Sequence, residues 1–204
     1  MKLWFFGDSF TYGHGLSDCV IYNAELDFYD GGLIPSKLGW ANIVSKTLNL
    51  DHTNLSLPGM SNLKIHWKIR NAAFGPNDIV IAQWSFPTRC VILDDPSTDI
   101  YVWPSNELSE TFYKVHTPLD LERRSLMIVE HTELLMKSLG IKYIAFANRA
   151  FGANMHAYSE IKDYEGHFIV DTALDNIHPG PKSNKLWAEQ VVKILQYAFN
   201  VSHV

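Results

Sequence analysis

The sequence predicts one α/β domain built on a parallel sheet of about five strands with helices on both faces. Short apolar runs alternate with longer amphipathic stretches, and glycine or proline marks many of the boundaries between them. This alternation is typical of right-handed βαβ units. A length of 204 residues fits one domain, so we expect residues 1–204 to form a single unit.

The predicted strands are apolar or rich in β-branched residues, and they end at turn-forming residues. The run from Leu3 to Phe6 stops at Gly7, and residues 53–57 stop at Pro58 and Gly59. The third strand is the clearest in the sequence, and we expect it to be central. The predicted strands cover residues 3–6, 53–57, 78–84, 141–147 and 167–170.

The predicted helices carry apolar residues at helical spacing. Pro35 stands where a first helical turn tolerates proline, Ser61 is a candidate N-cap, and Gly140 is a usual C-terminal stop. Two stretches without clear periodicity, residues 11–34 and 85–117, are expected to be a long loop and a loop or lid. The predicted helices cover residues 35–48, 61–73, 121–139 and a closing stretch around 187–198.

The composition is that of an ordinary globular protein, with 47% hydrophobic and 19% charged residues. A net charge of −5 without a basic run argues against nucleic acid as a partner. Cys19 and Cys90 are too few for a disulfide scaffold. The apolar stretch at residues 3–6 is too short for a signal peptide, and no segment is long enough to span a membrane. We therefore expect a soluble protein, cytoplasmic or otherwise.

Several polar residues follow predicted strands, and the carboxyl ends of parallel strands meet at one edge of a sheet, where ligands bind. We expect this edge to gather Ser9, Gly59, Ser85, Asn148 and the loop around His178. Ser9 follows the first strand directly, after a glycine that permits a sharp turn. A serine hydroxyl becomes a nucleophile when a histidine takes its proton and a carboxylate orients that histidine.

The pair Asp175 and His178 meets that requirement, because two intervening residues let both side chains face one site. Taken alone, either motif is more often a capped turn or a polar loop before a helix.

Three segments together resemble the SGNH, or GDSL-type, hydrolases: residues 7–10 (Gly-Asp-Ser-Phe), residues 55–62 and Asp175-x-x-His178. They stand in the family's order along the chain. The resemblance implies a flavodoxin-like three-layer α/β/α fold and ester or thioester hydrolysis without a metal or organic cofactor. It implies Ser9 as nucleophile, His178 as general base and Asp175 as its orienting group. The N–H groups of Ser9 and Gly59 would form part of the oxyanion hole.

The chain departs from that family in its third conserved block. The family follows its third strand with Gly-x-Asn-Asp, whose asparagine donates to the oxyanion, whereas this chain has Ser85 and then Pro87. Proline has no N–H to donate. Losing one such donor costs roughly 10²- to 10³-fold in turnover. Ser85 or Arg89 is the preferred replacement, and Asn62 or Asn148 is a further possibility.

Other residues near the same edge are candidates for substrate binding. Arginines there could bind a carboxylate or a sugar, and loop aromatics could stack on sugar rings, although most aromatics belong to a core. The substrate-binding candidates are Asp8, Tyr12, Trp84, Arg89 and Asn148. The remaining arginine and aromatic candidates are Arg149, Trp103, Tyr22, Tyr101 and Tyr113.

The nine histidines show no metal-ligand spacing, so no metal site is predicted. His14, in the loop after Ser9, could line the pocket, although an ordinary loop histidine is the preferred interpretation. The leading hypothesis is a serine esterase for an acyl ester, with O-acetyl carbohydrate as the preferred substrate. A lysophospholipase or thioesterase is the nearest rival. The alternative from another class is a non-catalytic module that binds a glycan or a protein on the same fold.

Overall fold

A computed structural model describes residues 1–23, 28–32, 34–95, 98–102, 107–147 and 169–201. In chain order the elements are β1 (Lys2–Phe6), α1 (Ser9–Tyr12), β2 (Val20–Asn23), β3 (Phe28–Gly31), α2 (Trp40–Thr47), β4 (Asp51–Asn54), α3 (Asn62–Arg70), β5 (Ile79–Trp84), β6 (Cys90–Asp95), β7 (Thr98–Val102), α4 (Glu107–Val115), α5 (Pro118–Ser138), β8 (Lys142–Ala147) and α6 (Pro181–Phe199).

The central sheet has four described strands in the order β4-β1-β5-β8, and all neighbouring pairs are parallel. The predicted α/β class and the parallel sheet are confirmed, while the predicted fifth strand at residues 167–170 is not found. Residues 167 and 168 lie outside the described part. Val170 is in no strand, because its N–H donates to the Ser183 hydroxyl at the start of α6 instead of to a neighbouring strand.

Alternate residues of the strands fill two separate cores, one on each face of the sheet. In β1, Leu3 and Phe5 point to the face covered by α2 and α6, whereas Phe6 points to the face covered by α3 and α5. Each fully buried side chain of this size stabilises the fold by about 1.5–3 kcal/mol. The result is the expected three-layer arrangement, with β1 and β5 as its two inner strands.

Several predicted boundaries shift because side chains compete for backbone hydrogen bonds. Strand β4 ends at Asn54, whose Oδ1 accepts the Ser56 N–H and turns the chain. Helix α2 begins at Trp40, so Pro35 lies outside it. The N–H of Trp40 donates to Asn184 Oδ1, which ties the start of α2 to the start of α6.

The two segments predicted as loops contain regular structure. Residues 11–34 include the antiparallel hairpin of β2 and β3, and residues 85–117 include the hairpin of β6 and β7 as well as α4. Pro87, the described proline of the second stretch, precedes the first strand of its hairpin. None of the described helices is long and apolar enough to cross a membrane.

Candidate active site

The turn after β1 holds Ser9 at the carboxyl edge of the sheet. Gly7 is required there, because a Cβ would overlap the Thr11 hydroxyl. Asp8 is the N-cap of α1 and accepts the Phe10 N–H at 3.1 Å, so Ser9 becomes the first residue of a one-turn helix. Ser9 is only 3% exposed. The core and the cap thus fix the candidate nucleophile in position.

Asp8 is fully buried and is the centre of a polar cluster. Its Oδ2 accepts the Ser85 hydroxyl at 2.8 Å and Arg89 Nη1 at 2.9 Å. Burial raises the pKa of Asp8, and the Arg89 guanidinium, the Phe10 amide and the Ser85 hydroxyl offset part of this rise. The Asp8 carboxylate has no exposed surface and its partners are protein groups, so direct contact of Asp8 with substrate stays a prediction that its burial does not favour.

Ser85 is engaged on both of its donors. Its N–H donates to Asn62 Oδ1 at 2.7 Å, and its hydroxyl donates to Asp8. The Asn62 amide in turn donates to the Ser85 carbonyl at 3.1 Å and to Ser125 Oγ at 2.9 Å. Both protons of Ser85 are thus donated to protein groups, and its role as the third donor stays a prediction. Arg89, whose side chain is 24% exposed, stays a prediction.

The loop at residues 171–180 presents Asp175 and His178. An isolated bridge between Thr172 and Pro179 closes this loop, and the Ala173 N–H donates to the His178 carbonyl at 2.8 Å. At the base of the loop, Asp171 accepts two N–H groups and a hydroxyl from the first turn of α6. The loop is therefore held by its own hydrogen bonds and by the start of a helix.

Asp175 uses its two oxygens for different purposes. Its Oδ1 accepts the N–H groups of Ile177 and His178 at 3.0 Å each, while its Oδ2 meets His178 Nδ1 at 2.6 Å. Burial alone would raise the pKa of Asp175. The two amides and the His178 ring outweigh burial and hold the pKa below its ordinary value. An ionised Asp175 can thus orient the imidazole and stabilise its cationic form.

The turn after β1 and the loop of His178 are in contact. The Leu174 N–H donates to the Gly15 carbonyl at 2.9 Å, and the rings of Phe10 and His178 lie 5.7 Å apart between centroids. Among the described residues the Ser9 hydroxyl and the His178 ring form no hydrogen bond. Catalytic hydrogen bonds are often long before substrate binds, so the pairing of Ser9 with His178 stays a prediction.

Gly59 lies in the turn after β4 with φ +75°, which favours glycine. The Leu57 N–H donates to the Gly7 carbonyl at 3.3 Å and brings this turn beside the turn after β1. The N–H groups of Ser9 and Gly59 have no acceptor within the part of the chain that the structure describes. Such groups are available to bind an oxyanion.

Two further residues predicted to contact substrate, Trp84 and Tyr12, are buried, and their contact with substrate stays a prediction. Trp84 is fully buried in the core beneath α3 and α5, and Tyr12 is 3% exposed with its hydroxyl donating to the Gly32 carbonyl. Tyr113 donates its hydroxyl to the Thr88 carbonyl. The part of the chain that the structure describes does not include Asn148, Arg149 and Trp103, nor the side chains of Tyr22 and Tyr101.

His14 reaches the candidate site, although its sequence context suggested an ordinary loop residue. Its ring centroid lies 4.7 Å from that of His178, and its Nε2 lies 3.9 Å from Asp175 Oδ2. One atom from each of these three residues lies within 4.8 Å of the others, an arrangement that could hold a metal ion. Only the contact between the loops at residues 13–15 and 171–178 reveals this cluster. Glycines on both sides of His14 were the one hint in the sequence.

A cleft of about 660 Å³ lies beside this site, between α3 and α5. Its described lining is mostly apolar and contains no carboxylate, and it includes five basic side chains: His66, Arg70, Arg89, Arg124 and His131. Arg89 belongs both to the wall of this cleft and to the Asp8 cluster. The cleft is therefore linked to the turn after β1 through the contact of Arg89 with Asp8.

The sequence matches no protein-family model and no curated protein. Solved structures do match. A carbohydrate esterase, described as having divergent catalytic and non-catalytic binding functions in its active site, superposes with a TM-score of 0.63 at 13% identity. An acetyl xylan esterase from Butyrivibrio proteoclasticus superposes at 0.62, also at 13% identity. Each match covers 98% of this chain, and respectively 69% and 65% of the other protein.

A smaller protein matches over nearly its whole length. It is a lipolytic protein of the G-D-S-L family from Desulfitobacterium hafniense, with a TM-score of 0.53 at 12% identity. The match covers 95% of this chain and 99% of that one. At these identities the likeness concerns the fold, and it agrees with the resemblance found in the sequence. The chain has the fold of the SGNH, or GDSL-type, hydrolases.

Proposed function

We propose that this protein is a serine hydrolase that cleaves an acyl ester, with an O-acetyl group on a carbohydrate as the preferred substrate. The observation that carries the proposal is the contact between two chemically matched parts. The turn after β1 holds Ser9, and the loop that touches it holds a histidine already oriented by a carboxylate at 2.6 Å. Serine, histidine and aspartate in these roles are the requirements of nucleophilic acyl transfer.

In the proposed reaction Ser9 Oγ attacks the ester carbonyl while His178 Nε2 takes the hydroxyl proton. His178 returns that proton to the leaving alcohol, which departs and leaves an acyl group on Ser9. Water then attacks the acyl-enzyme by the same path, and acetate and free serine result. Asp175 stays ionised throughout and stabilises the imidazolium.

The negative charge that develops on the carbonyl oxygen would be met by the N–H groups of Ser9 and Gly59. Arg89 is the proposed third donor, because the Asp8 carboxylate holds its guanidinium beside the turn after β1. A guanidinium carries five N–H donors. Arg89 would then replace the asparagine side chain of the family's third block.

The carbohydrate part of the proposal rests on similarity of fold alone. Two of the matching structures are an acetyl xylan esterase and another carbohydrate esterase, and this chain spans about two thirds of each. A G-D-S-L lipolytic protein with the same fold supports the rival substrate class of longer acyl esters. Both classes share the proposed chemistry at Ser9.

A non-catalytic binding module is the second candidate function. The altered third block favours it, because Ser85 is engaged with Asn62 and Asp8 instead of the oxyanion position. The carbohydrate esterase with the highest TM-score above is itself described as having non-catalytic binding functions. The oriented pair Asp175 and His178 favours catalysis, since a binding module has no evident need for it.

A fluorophosphonate probe separates these candidates, because it reacts only with an activated serine. We expect covalent labelling of the wild type and none of Ser9→Ala, with Ser45→Ala as the control at another buried serine. A folded wild-type protein that takes no label would contradict the hydrolase. Release of acetate from acetylated xylan, compared with hydrolysis of a decanoyl ester, then decides between the two substrate classes.

A further inference from the structure

We propose that His14, Asp175 and His178 form a binding site for a divalent transition metal, best matched by Zn²⁺, and that a bound ion switches the esterase off. The regulatory half of this inference rests on the proposed function, because the ion would occupy the histidine that serves Ser9. The metal site itself rests only on the arrangement of the three side chains.

Asp175 directs one oxygen at both imidazoles. Its Oδ1 is held by two amide N–H groups, so Oδ2 is fixed at 2.6 Å from His178 Nδ1 and 3.9 Å from His14 Nε2. The three candidate ligand atoms all lie within 4.8 Å of one another. Ligands that lie about 2.0–2.1 Å from a tetrahedral Zn²⁺ are roughly 3.3 Å apart.

The largest required movement is at most about 1.5 Å, by which the two imidazole nitrogens, now within 4.8 Å, would approach each other. The His178 to Asp175 contact would open by about 0.7 Å, and His14 would approach Asp175 by about 0.6 Å, to reach that ligand spacing. His14 stands between Gly13 and Gly15, at φ +77° and +84°, in the loop that leaves α1. A side-chain rotation there places its ring without disturbing either core.

The donor set selects the kind of ion. Two imidazoles and one carboxylate suit Zn²⁺ and its neighbours in the first transition row, whereas Mg²⁺ and Ca²⁺ prefer oxygen ligands alone. The lowered pKa of Asp175 keeps this ligand ionised at neutral pH. The side chains of His14 and His178 are 15% and 16% exposed, so an ion can enter from solvent and keep a water as its fourth ligand.

Metal binding and catalysis compete for one group. The ion would replace the proton that His178 Nδ1 shares with Asp175 and would draw the ring toward His14, away from the hydroxyl of Ser9. His14 has no part in the proton transfers proposed above. A variant at His14 should therefore lose the metal effect, measured against its own metal-free rate.

Calorimetric titration of ZnCl₂ into purified protein tests the site without reference to activity. We expect one equivalent to bind to wild type and equally to Ser9→Ala. His14→Gln should bind at least about tenfold more weakly, since one of three ligands is gone. His131→Gln is the matched control, because it removes one member of the other ring-stacked histidine pair, with His66 at 5.0 Å, and should bind like wild type.

Esterase assays test the switch. Zn²⁺ should inhibit wild type, EDTA should restore the rate, and MgCl₂ should have no effect. The rate of His14→Gln, relative to its own rate without metal, should be resistant to zinc. Undiminished zinc binding by His14→Gln, or equal binding of Mg²⁺, would overturn the metal site. Zinc binding without any loss of rate would overturn the switch. If fluorophosphonate leaves Ser9 unlabelled while zinc binds as expected, the proposed function fails and the metal site stands.

Discussion

The turn after β1 and the loop at residues 171–180 bring the two halves of the candidate site together, but they are built differently. Every residue from Phe6 to Tyr12 is buried, and Asp8 is tied to groups that come from the end of β5. In the other loop Ile177 is 59% exposed, and the hydrogen bonds of Asp175 stay within the loop. The first half is positioned by the core and the second by its own backbone.

Because of this difference, we expect substitutions in the buried turn to affect mainly stability and substitutions in the loop at residues 171–180 to affect mainly catalysis. A change in the buried turn removes packing or leaves a charge without its partner, and both effects lower the free energy of unfolding. A change in the exposed loop removes a reacting group and little packing. Variants in the two regions should therefore fail in different assays.

The largest effect is expected for His178→Ala. Loss of the proposed base should lower kcat for 4-nitrophenyl acetate by roughly 10³- to 10⁶-fold. The side chain is partly exposed, so the free energy of unfolding should fall by no more than about 1.5 kcal/mol. Steady-state kinetics and urea unfolding measure the two quantities. Activity close to that of wild type would show that His178 is not the base.

The opposite pattern is expected for Asp8→Ala. Removing the buried carboxylate removes the ion pair between Asp8 and Arg89 and the cap of α1, so the free energy of unfolding should fall by about 2–4 kcal/mol. Asp51→Ala, at an exposed aspartate of β4, is the control and should stay within about 0.5 kcal/mol. Equal stability of the two variants in urea unfolding would refute the difference between the regions.

The lowered pKa of Asp175 makes the contribution of the loop at residues 171–180 to stability depend on pH. A carboxyl whose pKa is lower in the folded state stabilises the fold above its unfolded pKa of about 3.9, and this contribution disappears as pH falls through the folded value. Asp175→Asn should therefore be less stable than wild type by about 1–2 kcal/mol at pH 6. The difference in free energy of unfolding between variant and wild type should disappear as the pH falls below about 4. Urea unfolding at pH 3, 4, 5 and 6 measures it, and a gap independent of pH would contradict the assignment.

The smallest effect is expected for Tyr12→Phe. The change removes one hydrogen bond, from the hydroxyl to the Gly32 carbonyl, and should cost about 0.5–1.5 kcal/mol of stability. KM for carbohydrate esters should not change, because the buried ring has no surface for a sugar. A clear rise in KM would restore Tyr12 as a substrate contact.

The sequence was most informative where burial produces a regular pattern. Strands β1, β5 and β8 and the helices that cover them follow from apolar periodicity. The hairpin of β6 and β7 was missed because the prolines near it suggested an irregular loop. The ion pair of Asp8 could not be predicted, because its partner Arg89 follows a different strand and is far away in sequence. His14 was missed for the same reason, because its neighbours come from a distant segment.

The hydrogen bond from Leu174 to Gly15 joins segments separated by most of the described chain. The entropy lost in closing so long a loop grows only with the logarithm of its length, so the loop length adds little to the free-energy cost of the contact. Contacts between residues far apart in sequence nevertheless form slowly during folding. In refolding experiments the aromatic fluorescence of the two cores should therefore recover before any labelling by a fluorophosphonate. The time between the two signals would measure how long the sheet exists without a working nucleophile.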